Sequence, residues 1–278
     1  MCYFPEKRRA DVISKDIKNM EINTEKFPVS QYTENGKNSI EKTVAREFLL
    51  TIFLNGQELV TIMCSPKDLK YLAVGFLVSE GLVQNYESIN RIEVDEFAGV
   101  VRVETKEAPD PDSRFFAKRL ITSGCGGGAT FYSAADIATA KIESKMKISA
   151  DDVLALAREF QRHSELYLST HGVHSAAICD GKKILIFNED IGRHNAIDKI
   201  FGKCFLEQIK TNDHTVISSG RVSSEIMHKV AKRNMPIVIS ISSPTSLGVK
   251  IAESFGITLV ASVSGKKFDV YTNAWRVY

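Results

Sequence analysis

The sequence predicts an α/β protein, a larger domain with a parallel sheet layered by helices, preceded by a smaller N-terminal α+β domain. Three observations predict it. Residues 215–263 alternate strand, helix, strand, helix and strand, the pattern of a parallel sheet with helical crossovers. Residues 44–120 instead carry hairpin-like runs around one apolar helix. Between the two stands ITSGCGGGAT, whose glycines suit neither a helix interior nor an ordinary strand.

The elements follow in order. Residues 1–43 are polar with little periodicity and predict no element, only a lead-in or arm. Regular structure begins near Val44. FLLTIF and QELVTIMC flank Asn55-Gly56, a pair that accepts the positive φ angles of a tight hairpin turn. A helix follows, with Ser65 as cap, Pro66 in its first position and Gly81 at its end. INRIEVDEF and GVVRVET add strands, and residues 121–130 form a loop between folding units. In the larger domain, 131–278, Ser149 caps a helix with Val153, Leu156, Ala157 and Phe160 on one face. GVHSAAIC and KKILIF flank Asp180-Gly181 as a second tight hairpin. RHNAIDKIFGKCFLEQI is a helix burying Ile197, Ile200, Phe201, Cys204 and Phe205. TVIS, PIVISI and ITLVASV are strands separated by VSSEIMHKVAKR and SLGVKIAESF, with Gly256 as C-cap. DVYT closes the domain as a short strand.

Bulk properties exclude several classes. The chain has 278 residues, 44% hydrophobic, and a net charge of +2, so neither nucleic acid nor an anionic membrane is called for. No run approaches the ~20 apolar residues of a membrane span. The opening MCYFPEKRRADVISKD lacks an apolar signal stretch, so the expected compartment is the cytoplasm. Cys2, Cys64, Cys125, Cys179 and Cys204 are odd in number and widely spaced, which speaks against a disulfide framework. There is no Cys-x-x-Cys, so no structural zinc is expected.

Ligands of parallel α/β sheets bind beyond the carboxyl ends of the strands. Three loops leave such ends here: Ser218–Arg221, Ser242–Ser246 and Ser262–Lys267. The first two run into helix N-termini, which favour anions, so together the loops could hold a phosphate-bearing ligand. The same residues are also ordinary caps and turns. No GxGxxG or GxxxxGK[ST] occurs. Glu189-Asp190-Ile191-Gly192-Arg193-His194-Asn195 is the densest polar cluster, where His194 could cap, ligate or transfer protons. Cys125 is the sharpest signal. Flanking glycines leave its sulfur uncovered and let backbone N–H groups stabilise a thiolate. Cys64, Cys179 and Cys204 sit in apolar patterns and read as core.

LAVGFLVSEGL, TSGCGGG, GVHSAAIC, EDIGRHNAIDKIFG and the long run from SSGRVSSEIMHK to ITLVASV together resemble the FdhD family, from about Val44 to Thr272. The resemblance implies a sulfurtransferase required for formate dehydrogenase. It would accept persulfide sulfur from a cysteine desulfurase and pass it to Mo-bis(molybdopterin guanine dinucleotide), bound as a substrate, with no permanent cofactor. It implies a cytidine deaminase-like three-layer domain and a homodimer. Carried over residue by residue, Cys125 is the sulfur carrier. Ser262, Val263, Ser264, Gly265, Lys266 and Lys267 form the cofactor-binding turn, with Arg193, His194, Ser219, Gly220, Arg221 and Ser243 on neighbouring loops. The family's loop reads Cys-Gly-x-Cys-Gly, but Gly128 stands where its second cysteine falls. A cofactor-binding chaperone without sulfur transfer is therefore the alternative. Lys267 replaces the family's Arg and Ser262 its aromatic residue. A zinc deaminase would need His-x-Glu and Pro-Cys-x-x-Cys. His174 is followed by Ser175 and Ala176, and that ligand set is missing.

Overall fold

The computed structural model describes residues 22–106, 119–121, 129–131 and 141–278. Cys125, Gly128 and the first 21 residues lie outside them. β1 (Thr24–Thr33) and β2 (Gly36–Ala45) pair antiparallel along their whole length. The expectation of no element over 1–43 is corrected here. These strands show no clean alternation because most of their side chains meet solvent on both faces. The one legible sign was Asn35-Gly36, at the turn between them.

The α+β unit has β3 (Phe48–Leu54), β4 (Gln57–Cys64), α1 (Leu69–Ser79), β5 (Ile89–Asp95) and β6 (Val100–Thr105). Its sheet runs β4-β3-β6-β5, with β3 and β6 parallel. The β3–β4 turn is as expected, with Asn55 at φ 50° and Gly56 at φ 80°. α1 packs Leu69, Leu72, Leu77 and Val78 on Leu50, Ile52, Val101 and Val103. Each such fully buried side chain contributes about 1.5–3 kcal/mol. The helix begins three residues later than the Ser65-Pro66 reading, after Asp68 in the left-handed region at φ 60°. Ser65 has another role, described below.

β7 (Arg119–Ile121) pairs antiparallel with β8 (Ala129–Phe131), so residues 122–128 join two paired strands. The larger domain then runs α2 (Ala150–His163), α3 (Glu165–Thr170), β9 (His174–Cys179), β10 (Ile184–Asp190), α4 (Arg193–Leu206), β11 (Thr215–Ser218), α5 (Ser224–Lys232), β12 (Ile237–Ser240), α6 (Ser246–Ser254), β13 (Thr258–Ser264) and β14 (Lys267–Thr272). Ser149 caps α2 by accepting the Asp152 N–H at 3.1 Å. The β9–β10 connection is wider than the tight turn expected. Asp180 holds it open by accepting N–H bonds from Lys182 and Lys183, each at 3.0 Å.

The sheet order is β10-β9-β11-β12-β13-β14. The β11-β12-β13 core is parallel, whereas β9, β10 and β14 run antiparallel to their neighbours. The sheet is thus mixed rather than all parallel. Side chains alternate faces along each strand. Ala176, Ile178, Val216, Val238 and Leu259 meet α4, α5 and α6 on one face. Ala177, Cys179, Ile217, Ile239 and Val260 meet α2 on the other. Three layers result, as expected.

α4 is also sandwiched against α1. A Cβ on Gly75 would stand 1.8 Å from the Asp198 carbonyl oxygen, and one on Gly202 would stand 1.9 Å from that of Tyr71. Only glycine lets these two helix backbones touch.

Candidate functional site

The antiparallel placement of β9 and β10 brings unexpected residues to the expected edge. The carboxyl ends of β10, β11, β12 and β13 meet the start of β9 there. The strand-end loops are laced to one another. Ser219 N–H donates to Ser175 O at 3.0 Å, and Ile241 N–H to Ser218 O at 3.1 Å. Ser240 Oγ donates to the Gly220 carbonyl at 2.9 Å. Ser262 N–H donates to Ser242 O, and the Ser243 and Ser262 hydroxyls meet at 3.1 Å. Thr245 caps α6 through the Gly248 N–H.

Most of the residues singled out in the sequence gather on this edge. Arg221, Ser243, Lys266 and Lys267 are exposed. Arg193, at the start of α4, lies against Gly220, where a Cβ would fall 2.7 Å from the Arg193 Cβ. Ser262 at φ 56° and Gly265 at φ 58° shape the β13–β14 turn. Val263 is only 4% exposed, its side chain packed into the core, so only its backbone can reach a ligand. Cys125 lies outside the described residues.

His194 does not stand alone. Its Nε2 lies 3.0 Å from Glu225 Oε2, across the start of α5. Burial outweighs the carboxylate and holds the imidazole below its ordinary value, so near neutral pH a neutral His194 faces an ionised Glu225. Glu225 was not singled out in the sequence. Its spacing to Lys229, one turn on, was the available hint.

The rest of the polar cluster points inward. Asp190 and Lys199 are fully buried, paired at 2.7 Å. Asp190 also accepts from Ser65 N at 3.1 Å, Gly192 N at 2.9 Å and Asn195 Nδ2 at 2.9 Å. Asn195 Nδ2 donates in addition to Met63 O, and the Ile191 N–H to Ser65 Oγ. Asp198 pairs with Lys229 and accepts from Ser79 Oγ at 2.7 Å. These residues bolt the α+β unit onto the strand edge.

Beside the loops opens a cavity of about 640 Å³, within the usual range for small-molecule sites. Phe160, Tyr167, Val173, Ile191 and Ile241 give it apolar walls. His174, Ser164, Ser175 and Ser219 give it polar ones. His174 Nδ1 lies 3.3 Å from Ser219 Oγ, which accepts the Ser175 N–H at 2.9 Å. Burial, then Arg193, hold His174 below its ordinary value. Glu189 accepts from the N–H groups of Leu166 and Tyr167, each at 3.1 Å, and so ties α3 to the sheet.

The cysteines separate by environment. Burial pushes the thiols of Cys64, Cys179 and Cys204 up to about 12. Among the described residues, no group of three or more His, Cys, Asp or Glu side chains could hold a metal ion. No helix among them is long and apolar enough to cross a membrane.

Fold and edge define an α/β protein with exposed cations along one sheet edge, a cavity beside it that no charged side chain among the described residues lines, and buried core thiols. Residues 45–278 match the FdhD/NarQ family, and the chain belongs to it. It is 43% identical over 250 residues to a Bacillus pumilus protein named sulfur carrier protein FdhD, covering 90% of this chain and 95% of that one. A Bacillus subtilis protein of the same name is 41% identical over 250 residues, with the same coverage of each chain. The crystal structure of a Desulfotalea psychrophila protein, assigned as a formate dehydrogenase accessory protein, superposes with a TM-score of 0.76 at 25% identity. That match covers 92% of this chain and 100% of the other.

Proposed function

We propose that this chain is a sulfur carrier for formate dehydrogenase maturation, with Cys125 as the carrying thiol. The observation that carries this reading is the silencing of three cysteines. At a thiol value of about 12, Cys64, Cys179 and Cys204 hold almost no thiolate at neutral pH, and each is buried. Sulfur chemistry then falls to Cys125 or Cys2, and Cys125 is the one flanked by glycines. The family membership and the names of the relatives support the same role.

The donor is a cysteine desulfurase carrying a persulfide. The Cys125 thiolate attacks the outer sulfur, the donor's S–S bond breaks, and the donor leaves as a thiolate. The acceptor is the molybdenum of a bis-guanine-dinucleotide cofactor held at the sheet edge. Handover breaks the new S–S bond and returns Cys125 to a thiolate. The two electrons that turn sulfane sulfur into sulfide come from the metal in its reduced state. Arg221, exposed just before α5, and Lys266 and Lys267, exposed at the β13–β14 turn, supply the charge that phosphates need.

The test is intact mass after incubation with a cysteine desulfurase and cysteine. A reducible gain of one sulfur, mapped to Cys125 and absent from Cys125→Ser, is expected. Gly128, at the position of the family's second cysteine, favours one competing reading, a cofactor chaperone without sulfur transfer. Full formate dehydrogenase activity with Cys125→Ala would establish that reading and sink ours.

A further inference from the structure

We propose that the β1–β2 hairpin is an arm that joins two copies of the chain: the free edge of β2 pairs antiparallel with β2 of a second copy, Ser39 opposite Ser39, to make one four-stranded sheet. The proposal goes beyond a homodimer as such, because it names the element, the edge and the register.

The hairpin is held only at its root. A Cβ on Gly172 would stand 3.4 Å from the Ala45 Cβ, and the Arg46 N–H donates to Asn23 O at 2.7 Å. Toward the turn, residues 30–39 are all exposed. Among the described residues no third strand pairs with β1 or β2. A two-stranded sheet is marginal at best in water, and further strands stabilise it.

The two edges of the arm differ. Pro28 has no N–H, so Pro28–Glu41 is a pair that exchanges no backbone hydrogen bonds, and by alternation so are Ser30–Ser39 and Tyr32–Lys37. The N–H and C=O groups of these residues turn away from the partner strand. On β1 that outer row lacks the donor of Pro28, which blunts the edge. On β2 the row through Lys37, Ser39 and Glu41 is complete and faces solvent.

The charges on this edge suit a second copy of itself. Only the register with Ser39 opposite Ser39 sets Lys37 of each copy against Glu41 of the other, so the joint gains two opposite-charge pairs. Centring the joint on Lys37 or on Glu41 would instead set like charges face to face. The same register carries the apolar row of Phe27, Val29 and Ile40, which share one face of the hairpin, across to that of the other copy.

The test is sedimentation velocity of the purified full-length protein over a dilution series. The wild type should be a dimer. Lys37→Glu leaves the Lys26–Glu41 pair intact and puts like charges at both ends of the joint, so the dissociation constant should rise roughly tenfold or more. Adding Glu41→Lys restores opposite charges and should restore the dimer. A hydrogen-bonded pair holds its Cα atoms about 5.5 Å apart, within the span of a disulfide. In a Cys2→Ser, Cys125→Ser background, where the remaining native thiols are buried, Ser39→Cys should therefore form an interchain disulfide on oxidation and Glu41→Cys should not. A monomeric wild type would overturn the proposal. So would a dimer indifferent to Lys37→Glu, a charge swap that fails to restore it, or cross-linking through Glu41→Cys rather than Ser39→Cys. None of these outcomes depends on sulfur transfer, so the carrier reading and this one can fail separately.

Discussion

Asp190→Asn removes one charge and no volume from the most buried ion pair of the fold. Asp190 and Lys199 are both fully buried, and four donors converge on the carboxylate: Lys199 Nζ, Ser65 N, Gly192 N and Asn195 Nδ2. An amide keeps one acceptor oxygen and turns an NH2 group toward the remaining donors. It also leaves the Lys199 ammonium without a counter-charge. Breaking a buried pair this way costs about 3–5 kcal/mol, a large share of the roughly 5–15 kcal/mol that holds a typical domain folded. The midpoint of urea unfolding, followed by far-UV circular dichroism, should fall by roughly 1–2 M. Adding Lys199→Met removes the stranded cation. The double variant should then recover at least about 1 kcal/mol relative to the sum of the single changes. A loss under about 1 kcal/mol for Asp190→Asn, or strict additivity in the double variant, would show that Lys199 is not left as an uncompensated buried charge.

Three further outcomes are expected. Gly202→Ala should cost about 1–3 kcal/mol or more, because its Cβ would meet the Tyr71 backbone carbonyl rather than a movable side chain. Urea midpoints matching the wild type would show that α1 and α4 can separate cheaply. Native protein at pH 8 should leave Cys64, Cys179 and Cys204 unlabelled by iodoacetamide over minutes, since a thiol at about 12 is only about one part in ten thousand thiolate there. Unfolding in urea should label all three, and fast native labelling of any one would contradict its placement. Stability should fall with pH on the acidic side. His174 and His194 are depressed below 6.5 when folded, so the unfolded chain takes up protons first. Their contribution is complete above 6.5, declines as pH falls through that value, and levels off below the folded values. Urea midpoints between pH 8 and 5 should show this slope, and the double variant His174→Gln, His194→Gln should flatten it.

The fold was legible where pattern and burial coincide. The β11-α5-β12-α6-β13 run was readable because the strands are short and wholly apolar and the helices between them amphipathic. β1 and β2 were not, since neither face is buried enough to leave an alternation. Ser65-Pro66 has the form of a helix start, but tertiary contacts override it. Asp190 takes the Ser65 N–H and Ile191 donates to its hydroxyl, so the turn is spent on the other unit and α1 begins later. The three strand-end loops were visible from their sequence. The contribution of β9 to the same edge was not, because it depends on an antiparallel pairing that no local pattern encodes. His174 was weighed only as a metal ligand, and it is the pairing that sets it beside Ser219.

The motif EDIGRHNAIDK lies across the densest polar cluster of the sequence, and geometry explains why most of its charged side chains point inward. α4 packs on the sheet through Ala196, Ile197, Ile200 and Phe201 and meets α1 backbone to backbone through Gly202. Over its first turns it has almost no solvated face, so its charges cannot be left to water. Asp198 and Lys199 must find partners in neighbouring elements, and they do so in Lys229 and Asp190. One turn earlier, where the helix reaches the sheet edge, the His194–Glu225 contact repeats the Asp198–Lys229 contact at i, i+4 spacing. The inner rung pairs a carboxylate with an ammonium group and fixes how α5 sits against α4. The outer rung holds a neutral imidazole at the rim of the ligand edge. A change at Asp198 should therefore be felt first as stability, whereas a change at Glu225 should disturb ligand binding at smaller cost to the fold. Comparing Asp198→Asn with Glu225→Gln in both urea midpoint and GDP affinity separates the two roles. Equal losses in both quantities for both variants would mean that the ladder acts as a single structural block.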